Sequence, residues 1–225
     1  MSVNIEAFTR INRMAEAHQA RLVAVSKTKP EEDIAALYEA GHRIFGENYV
    51  QELVRKQAGL PADIQWHFIG HLQTNKVRFI APFVDLIHTV DSLKLLREIH
   101  KQAQKHNRII SCLLQMHIAR EDTKFGLDET QLDALLCEVC NQPSQYSSVR
   151  ICGLMGMSTH THEQAVIRSE FAALKNLFDR VRATYGSLQP HFRELSMGMS
   201  GDYEIALQEG STLLRVGSLL FGARS

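Results

Sequence analysis

The chain has 225 residues, 44% of them hydrophobic, with 25 acidic side chains against 25 basic ones. That size is enough to bury a full core, and the even charge, without a basic run in either half, excludes a broad electrostatic footprint for nucleic acid or an anionic membrane. No apolar run approaches the roughly 18–20 residues that cross a bilayer, so the expected compartment is the cytoplasm, with Cys112, Cys137, Cys140 and Cys152 reduced.

In chain order, "MSVNIEAFTRINRMAEAHQA" places Ile5, Phe8, Ile11 and Met14 on one side of an amphipathic helix and lacks the pattern of a signal peptide. Apolar, β-branched-rich segments then recur at 22–26, 43–45, 65–70, 86–90, 109–118, 149–157, 192–197 and 213–221. Helical patterns lie between them, such as "EEDIAALYEAG" with Gly41 as its stop, "DSLKLLREIHKQAQKH" capped by Asp91 or Ser92, and "EQAVIRSEFAALKNLFDRVRATYG" closing on Gly186. Cys137 and Cys140 form a C-x-x-C, but "TQLDALLCEVC" has helical periodicity and no second pair follows, so helix packing is the expected role. Eight alternating strand–helix units predict an α/β fold, a (β/α)₈ TIM barrel of the kind that usually has about 250 residues, preceded by an extra N-terminal helix. The expectation is one domain over residues 1–225, because no Pro-, Gly- or Ser-rich stretch separates two halves. The weakest unit is the second, where "HRIFGENYV" offers a short strand before polar residues begin.

In such a barrel, chemistry sits at the C-terminal ends of the strands. That face collects Lys27, Gly46, Glu47, Asn48, His71, Asp91, Met157, Ser158, residues 196–200, Gly217 and Ser218. The run "LVAVSKTKP" delivers Lys27 to the end of a buried strand, where an ammonium either reaches solvent along its stem, clamps an anion or serves as a nucleophilic amine. In "LSMGMSGDYEIALQEGS", Ser200 or Gly201 sits where a helix beginning near Asp202 would be capped; glycines there suit an anion, although a plain cap is the commoner use. The loops after strands seven and eight are the usual phosphate cradle of these barrels, and "RVGSLLFG" supplies Gly217 and Ser218. Arg215 alternates with Gly217 and so points into the barrel, where it needs an acceptor. Strands one and eight adjoin when the barrel closes. A phosphate cradle, an adjacent Arg and a lysine one strand away would hold an aldehyde-bearing phosphate ester, and pyridoxal 5'-phosphate fits, as a Schiff base on Lys27.

At "AVSKTKP", "FGENYVQE", "WHFIGHLQTNK", "TVDS", "KFG", "GLMGMS" and "LSMGMSGDYEIALQEGSTLLRVGSLLFGAR" the sequence resembles the pyridoxal phosphate homeostasis protein family, the YggS/PROSC-like proteins. The resemblance implies a barrel similar to the N-terminal domain of alanine racemase, with Lys27 as the Schiff-base lysine, Ser200, Gly217 and Ser218 as phosphate contacts, Arg215 as partner of the pyridine nitrogen, and Asn48 lining the pocket near the ring. Family members often carry Thr in place of Ser218 and "HLQSNK" in place of "HLQTNK"; both exchanges keep a hydroxyl. "GLMGMSTHTH" departs from the usual wording after "GLM".

An Arg facing the pyridine nitrogen stays a charged donor, which favours an unprotonated ring and weakens the cofactor as an electron sink. In racemase-like enzymes one of the two opposed catalytic groups comes from a separate C-terminal domain, and the sequence stops at "FGARS". The expectation is therefore a carrier or buffer of pyridoxal phosphate in vitamin B6 homeostasis without efficient catalysis, with apo-enzymes that use the cofactor as partners and a monomer as its state. The alternative is an amino acid racemase or lyase in which His71, His160, Tyr203 or a dimer partner supplies the missing base. A metal hydrolase built on His67 and His71, or on His160 and His162, has no nearby carboxylate cluster to support it, so no metal is expected. Lys29 and Lys124 read as exposed lysines, Trp66 as packing between barrel and helix, and Met197 and Met199 as cofactor wall or core filling.

Overall fold

The computed structural model describes residues 3–121 and 125–222. It alternates helix α1 (Ile5–Ala17), strand β1 (Arg21–Val25), α2 (Glu31–Glu39), β2 (Ile44–Glu47), α3 (Val50–Gly59), β3 (Gln65–Phe68), α4 (Val77–Ile80), β4 (Leu86–Val90) and α5 (Leu93–Lys105). There follow β5 (Ile110–Gln115), α6 (Glu129–Asn141), β6 (Val149–Met155), α7 (Gln164–Thr184), β7 (Glu194–Ser196), α8 (Tyr203–Gln208), β8 (Leu213–Val216) and α9 (Ser218–Phe221). The eight strands form a closed parallel barrel in sequence order, with β1 paired to both β2 and β8.

Strands flanked by neighbours on both edges and covered on both faces have to be apolar throughout. The central residues of β1, Leu22, Val23 and Ala24, are accordingly buried. Alternation sends Leu22 and Ala24 outward into the large core beneath the helices, with Phe45 and Trp66, and sends Val23 inward to a smaller cluster with Leu86, Leu113, Met155 and Leu213. Trp66 packs in the outer layer, as its alternation predicted. The helices present the matching apolar stripes. In α1, Asn4 caps the first turn by accepting the Ala7 amide at 2.9 Å, and Phe8, Ile11 and Ala15 are buried. Ile5, the first helical residue, stays 42% exposed.

The structure corrects several predicted boundaries. The eighth strand ends at Val216, and the apolar residues Leu220 and Phe221 that seemed to prolong it are buried by the short helix α9. β5 and β6 stop at Gln115 and Met155. The second strand runs past Phe45 to Glu47, because Glu47 finds a partner in the outer layer. Ser92 is the cap of α5, accepting from the Leu95 amide. The residue preceding α8 is Asp202, whose carboxylate accepts the Met199 amide at 2.6 Å, so neither Ser200 nor Gly201 caps that helix.

Candidate functional site

Closure brings the end of β1 against the end of β8. Val23 is registered with Arg215, and Ala24 with Val216. A Cβ added at Gly217 would lie 3.1 Å from the Val25 carbonyl oxygen, a tight contact that would push the two strand ends apart by a few tenths of an ångström. Lys27 follows two residues beyond Val25 and is half-buried. Across the same rim, the Gly217 amide donates to Ser200 Oγ at 3.3 Å, which joins the turn after β7 to the turn after β8. Three of the predicted residues thus converge at one corner of the mouth. Ser218, the first residue of α9, is exposed beside them.

Arg215 is 3% exposed. Its Nη1 donates to Ser196 Oγ at 2.6 Å and its Nη2 to the Gly156 carbonyl at 3.0 Å, the acceptors that an inward guanidinium requires. Burial pushes its pKa down to about 10, with the Asp202 carboxylate opposing the shift, so the group is still cationic at neutral pH. The Arg215 amide donates to the Gly198 carbonyl at 2.9 Å. Gly198 has φ +92°, and a Cβ there would lie 2.5 Å from that of Ala206; the turn can therefore fold over Arg215 only with glycine.

Asn48 stands at the C-terminal end of β2, half-buried, and its Oδ1 is buried without a hydrogen-bond partner. An amide oxygen left unpaired at a barrel mouth has acceptor capacity for a ligand group or a water. The turn after β3 presses on it, for a Cβ at Gly70 would come within 2.2 Å of the Asn48 carbonyl oxygen and 2.7 Å of its Cα.

Behind Lys27 lies an ionic cluster that the sequence reading missed. Lys56, on α3, is fully buried, and its Nζ donates to the Ser26 carbonyl, Glu47 Oε1 and Glu52 Oε1, each at 2.7 Å. Ser26 Oγ donates to Glu47 Oε1 at 2.7 Å, and Glu52 Oε1 also accepts the Thr28 amide at 2.7 Å. The carbonyl before Lys27 and the amide after it are therefore fixed by one ammonium and its carboxylate. Thr28 is held at φ +64°, a conformation that costs a non-glycine residue about 1 kcal/mol or more. Burial pushes the Glu47 carboxyl up, while Lys56 and the Ser26 hydroxyl pull it back. The legible trace was the i,i+4 spacing of Glu52 and Lys56 in "ENYVQELVRK", which by itself describes any solvated helix face.

Other candidates do not converge on the mouth corner. His67 is buried and hydrogen-bonded to His88, whereas His71 lies beyond the end of β3, stacked on Phe125 at 4.1 Å with Asp91 3.5 Å away, so the two do not form a pair. The Tyr203 hydroxyl donates to Glu204 and accepts from Arg10 of α1. The His160 amide donates to Glu121 at 2.8 Å, and no trio of metal-ligating side chains exists among the described residues. Cys137 and Cys140 sit on α6 as the helical periodicity predicted. Lys124 lies outside the described residues.

Barrel, buried arginine and glycine-lined corner define a class of fold on which the chain can now be placed: residues 5–225 match the model of the alanine racemase N-terminal domain, and the chain belongs to that family. Within it, the chain belongs to the pyridoxal phosphate homeostasis proteins. It is 39% identical to the pyridoxal phosphate homeostasis protein of Aquifex aeolicus over 206 residues, covering 91% of this chain and 87% of that one. It is 38% identical to that of Escherichia coli K12 over 227 residues, covering 97% and 91%. Among solved structures it is similar to PipY of Synechococcus elongatus with pyridoxal phosphate bound, at TM-score 0.85 and 36% identity over 96% of this chain and 99% of that one. Alanine racemase of Bartonella henselae, at 19% identity and TM-score 0.69 over 99% of this chain and 60% of that one, shares the fold. Among the described residues, no helix is long and apolar enough to cross a membrane.

Proposed function

We propose that the chain binds pyridoxal 5'-phosphate at the mouth of one barrel domain spanning residues 1–225 and serves as its carrier or buffer in cytoplasmic vitamin B6 homeostasis, without efficient turnover. When bound, pyridoxal phosphate supplies an aldehyde that condenses with an amine and a phosphate that anchors it. In this reading Lys27 offers the amine. Ser200, Gly217 and Ser218 hold the phosphate with hydroxyls and amides. Asn48 satisfies its unpaired amide against the ring substituents, and Arg215 donates to the ring nitrogen.

The observation that carries the reading is the buried Arg215. A guanidinium has donors only. Pinned between Ser196 Oγ and the Gly156 carbonyl, it cannot rotate away or accept a proton, so a ring nitrogen facing it acts as acceptor and stays unprotonated. That arrangement retains the cofactor while withholding the electron sink that carbanion chemistry needs. The names of the relatives and the bound cofactor in PipY support the same reading.

The test is to load the protein with pyridoxal phosphate, reduce with borohydride and map the adduct by mass spectrometry. The expected adduct is on the peptide carrying Lys27 and is absent in Lys27→Ala. An adduct on another side chain, or amino acid racemisation at ordinary enzyme rates that Lys27→Ala abolishes, overturns the reading. Transfer to an apo-enzyme, followed by the recovery of that enzyme's activity, tests the carrier role. Sedimentation analysis tests the expected monomer.

A further inference from the structure

The lower half of the barrel interior contains a second polar system that the mouth does not use. From Arg215 a file of hydrogen bonds descends through buried side chains. Ser196 Oγ is 2.9 Å from His88 Nδ1, and His88 Nε2 is 3.0 Å from His67 Nδ1. Arg215 can only donate, so Ser196 Oγ accepts from it and retains a hydrogen that it can give to His88 Nδ1. His88 then carries its proton on Nε2 and donates to His67 Nδ1. In this direction of the file His67 is the Nε2–H tautomer, and burial keeps it neutral by holding its pKa near 3.

The Nε2–H of His67 has no acceptor in the hydrogen bonds of the described residues, although His67 is only 3% exposed. His67 lines a cavity of about 200 Å³ at the N-terminal floor of the barrel, together with Arg21, Arg150 and Arg193. Two carboxylates share that cavity, Asp85 and Glu194, but both have donors of their own. Glu194 is taken by Arg21 at 2.6 Å and by the Thr212 hydroxyl at 3.0 Å, with Arg193 Nε 3.7 Å away, and Asp85 accepts the Trp66 amide at 2.7 Å. Three guanidiniums against two carboxylates leave the floor with one net positive charge, and the His67 ring lines it.

We propose that this floor is a second binding site, for a small oxyanion of the inorganic phosphate class, with His67 Nε2–H as its innermost donor and Arg150 as its principal charge. An anion accepting from His67 polarises the file above it, so that each acceptor in turn is strengthened up to Ser196 Oγ, which holds Arg215 more firmly. Occupancy of the floor is thereby read at the mouth 19 residues up the chain from Ser196, at Arg215.

The proposal does not depend on the cofactor, and its test keeps the two readings apart. Full-length protein with ¹⁵N-labelled histidine is titrated with sodium phosphate at constant ionic strength, with sodium chloride as control, before and after borohydride-reduced loading with pyridoxal phosphate. The expected result is a saturable shift of the His67 and His88 ring nitrogens with phosphate and none with chloride, in both forms of the protein. Arg150→Gln, which leaves the buried file intact, is expected to weaken binding at least tenfold; His67→Phe is expected to abolish the His88 shift. Shifts that chloride reproduces, that vanish once the mouth is loaded, or that survive Arg150→Gln at full affinity overturn the proposal. Failure to load the mouth refutes the cofactor reading and leaves the floor titration decisive.

Discussion

Lys56→Met isolates the cluster beneath Lys27. Methionine matches the aliphatic stem but leaves Glu47 fully buried, and Glu52 nearly so, without the ammonium that neutralises both. Removing one partner of a buried pair costs about 3–5 kcal/mol, a large part of the roughly 5–15 kcal/mol that holds a domain folded. Glu47 then escapes its uncompensated charge by taking up a proton. Its pKa in the folded protein is already raised above the ordinary 4.5 by burial, and without Lys56 it rises further. A carboxyl with a raised folded pKa contributes stability below its unfolded pKa and loses it as pH rises through the folded one. The deficit of Lys56→Met is therefore expected to be smallest near pH 4.5 and to widen toward neutrality, as read from urea midpoints at pH 5 and pH 8.

The same variant frees the Ser26 carbonyl from its tether and slackens Glu52, which holds the Thr28 amide. Thr28 can then leave its positive-φ conformation, and Lys27 must be ordered anew whenever ligand binds. Fixing one residue's backbone costs about 1–2 kcal/mol, so cofactor affinity is expected to fall about tenfold, measured by visible titration at pH 7.5. Glu52→Gln, which keeps the Thr28 acceptor and removes only a charge, is expected to lose less of both. A Lys56→Met protein destabilised by under about 1 kcal/mol, with unaltered pH dependence and unaltered affinity, would refute the argument that this cluster positions Lys27.

Three further outcomes are expected. Gly70→Ala, whose Cβ would collide with the Asn48 backbone, should lower pyridoxal phosphate affinity at least tenfold in a titration while the far-ultraviolet dichroism stays native. The buried neutral histidines His42, held near pKa 4, His67, held near 3, and His88, held well below 6.5, take up protons only on unfolding. Stability should accordingly fall as pH drops from about 6.5 toward 4, by about 1.4 kcal/mol per pH unit for each histidine fully engaged, and His42→Leu should flatten that slope in denaturant titrations. Toward a thiol reagent at pH 8, exposed Cys137 should react first and Cys112, whose thiol burial pushes far up, only on unfolding; rapid labelling of Cys112 in the folded protein would contradict its place in the core.

What the sequence disclosed was whatever depends on alternation and on strand ends. β1 was legible because both its faces are buried, and Arg215 because alternation with Gly217 leaves it no direction but inward. Helix α9 was illegible: "SLLF" is apolar in either conformation, and Gly217, which breaks the strand, reads equally well as a strand residue that a ligand approaches. The cap of α8 was misplaced by one or two residues, at Ser200 or Gly201, because three small or polar residues compete there, and the Met199 amide settles on Asp202. Lys56 was hidden for a more general reason. A buried lysine differs from a solvated one only in its tertiary partners, and two of those, Ser26 just past β1 and Glu47 at the end of β2, have no sequence spacing that relates them to α3.

The two polar systems of the barrel divide the work between its faces. Alternation turns Ser26 outward, toward Lys56 and the helices, and directs Lys27 the other way; it also turns Arg215, Ser196, His88 and His67 inward. Lys27 is thus steadied from outside the barrel by charge, and Arg215 from inside it by a file of neutral groups. The difference matters for binding without turnover. In the proposed reading, charge beside Lys27 keeps the rim rigid where its amine meets the aldehyde, while neutral histidines beneath Arg215 supply no proton for the ring nitrogen to acquire. Exchanging Arg215 for an acid would reverse that condition, yet a carboxylate would meet the Gly156 carbonyl and Ser196 Oγ with no hydrogen to give. The Gly156 carbonyl is therefore matched to a donor at residue 215, which in the proposed reading favours retention of the cofactor.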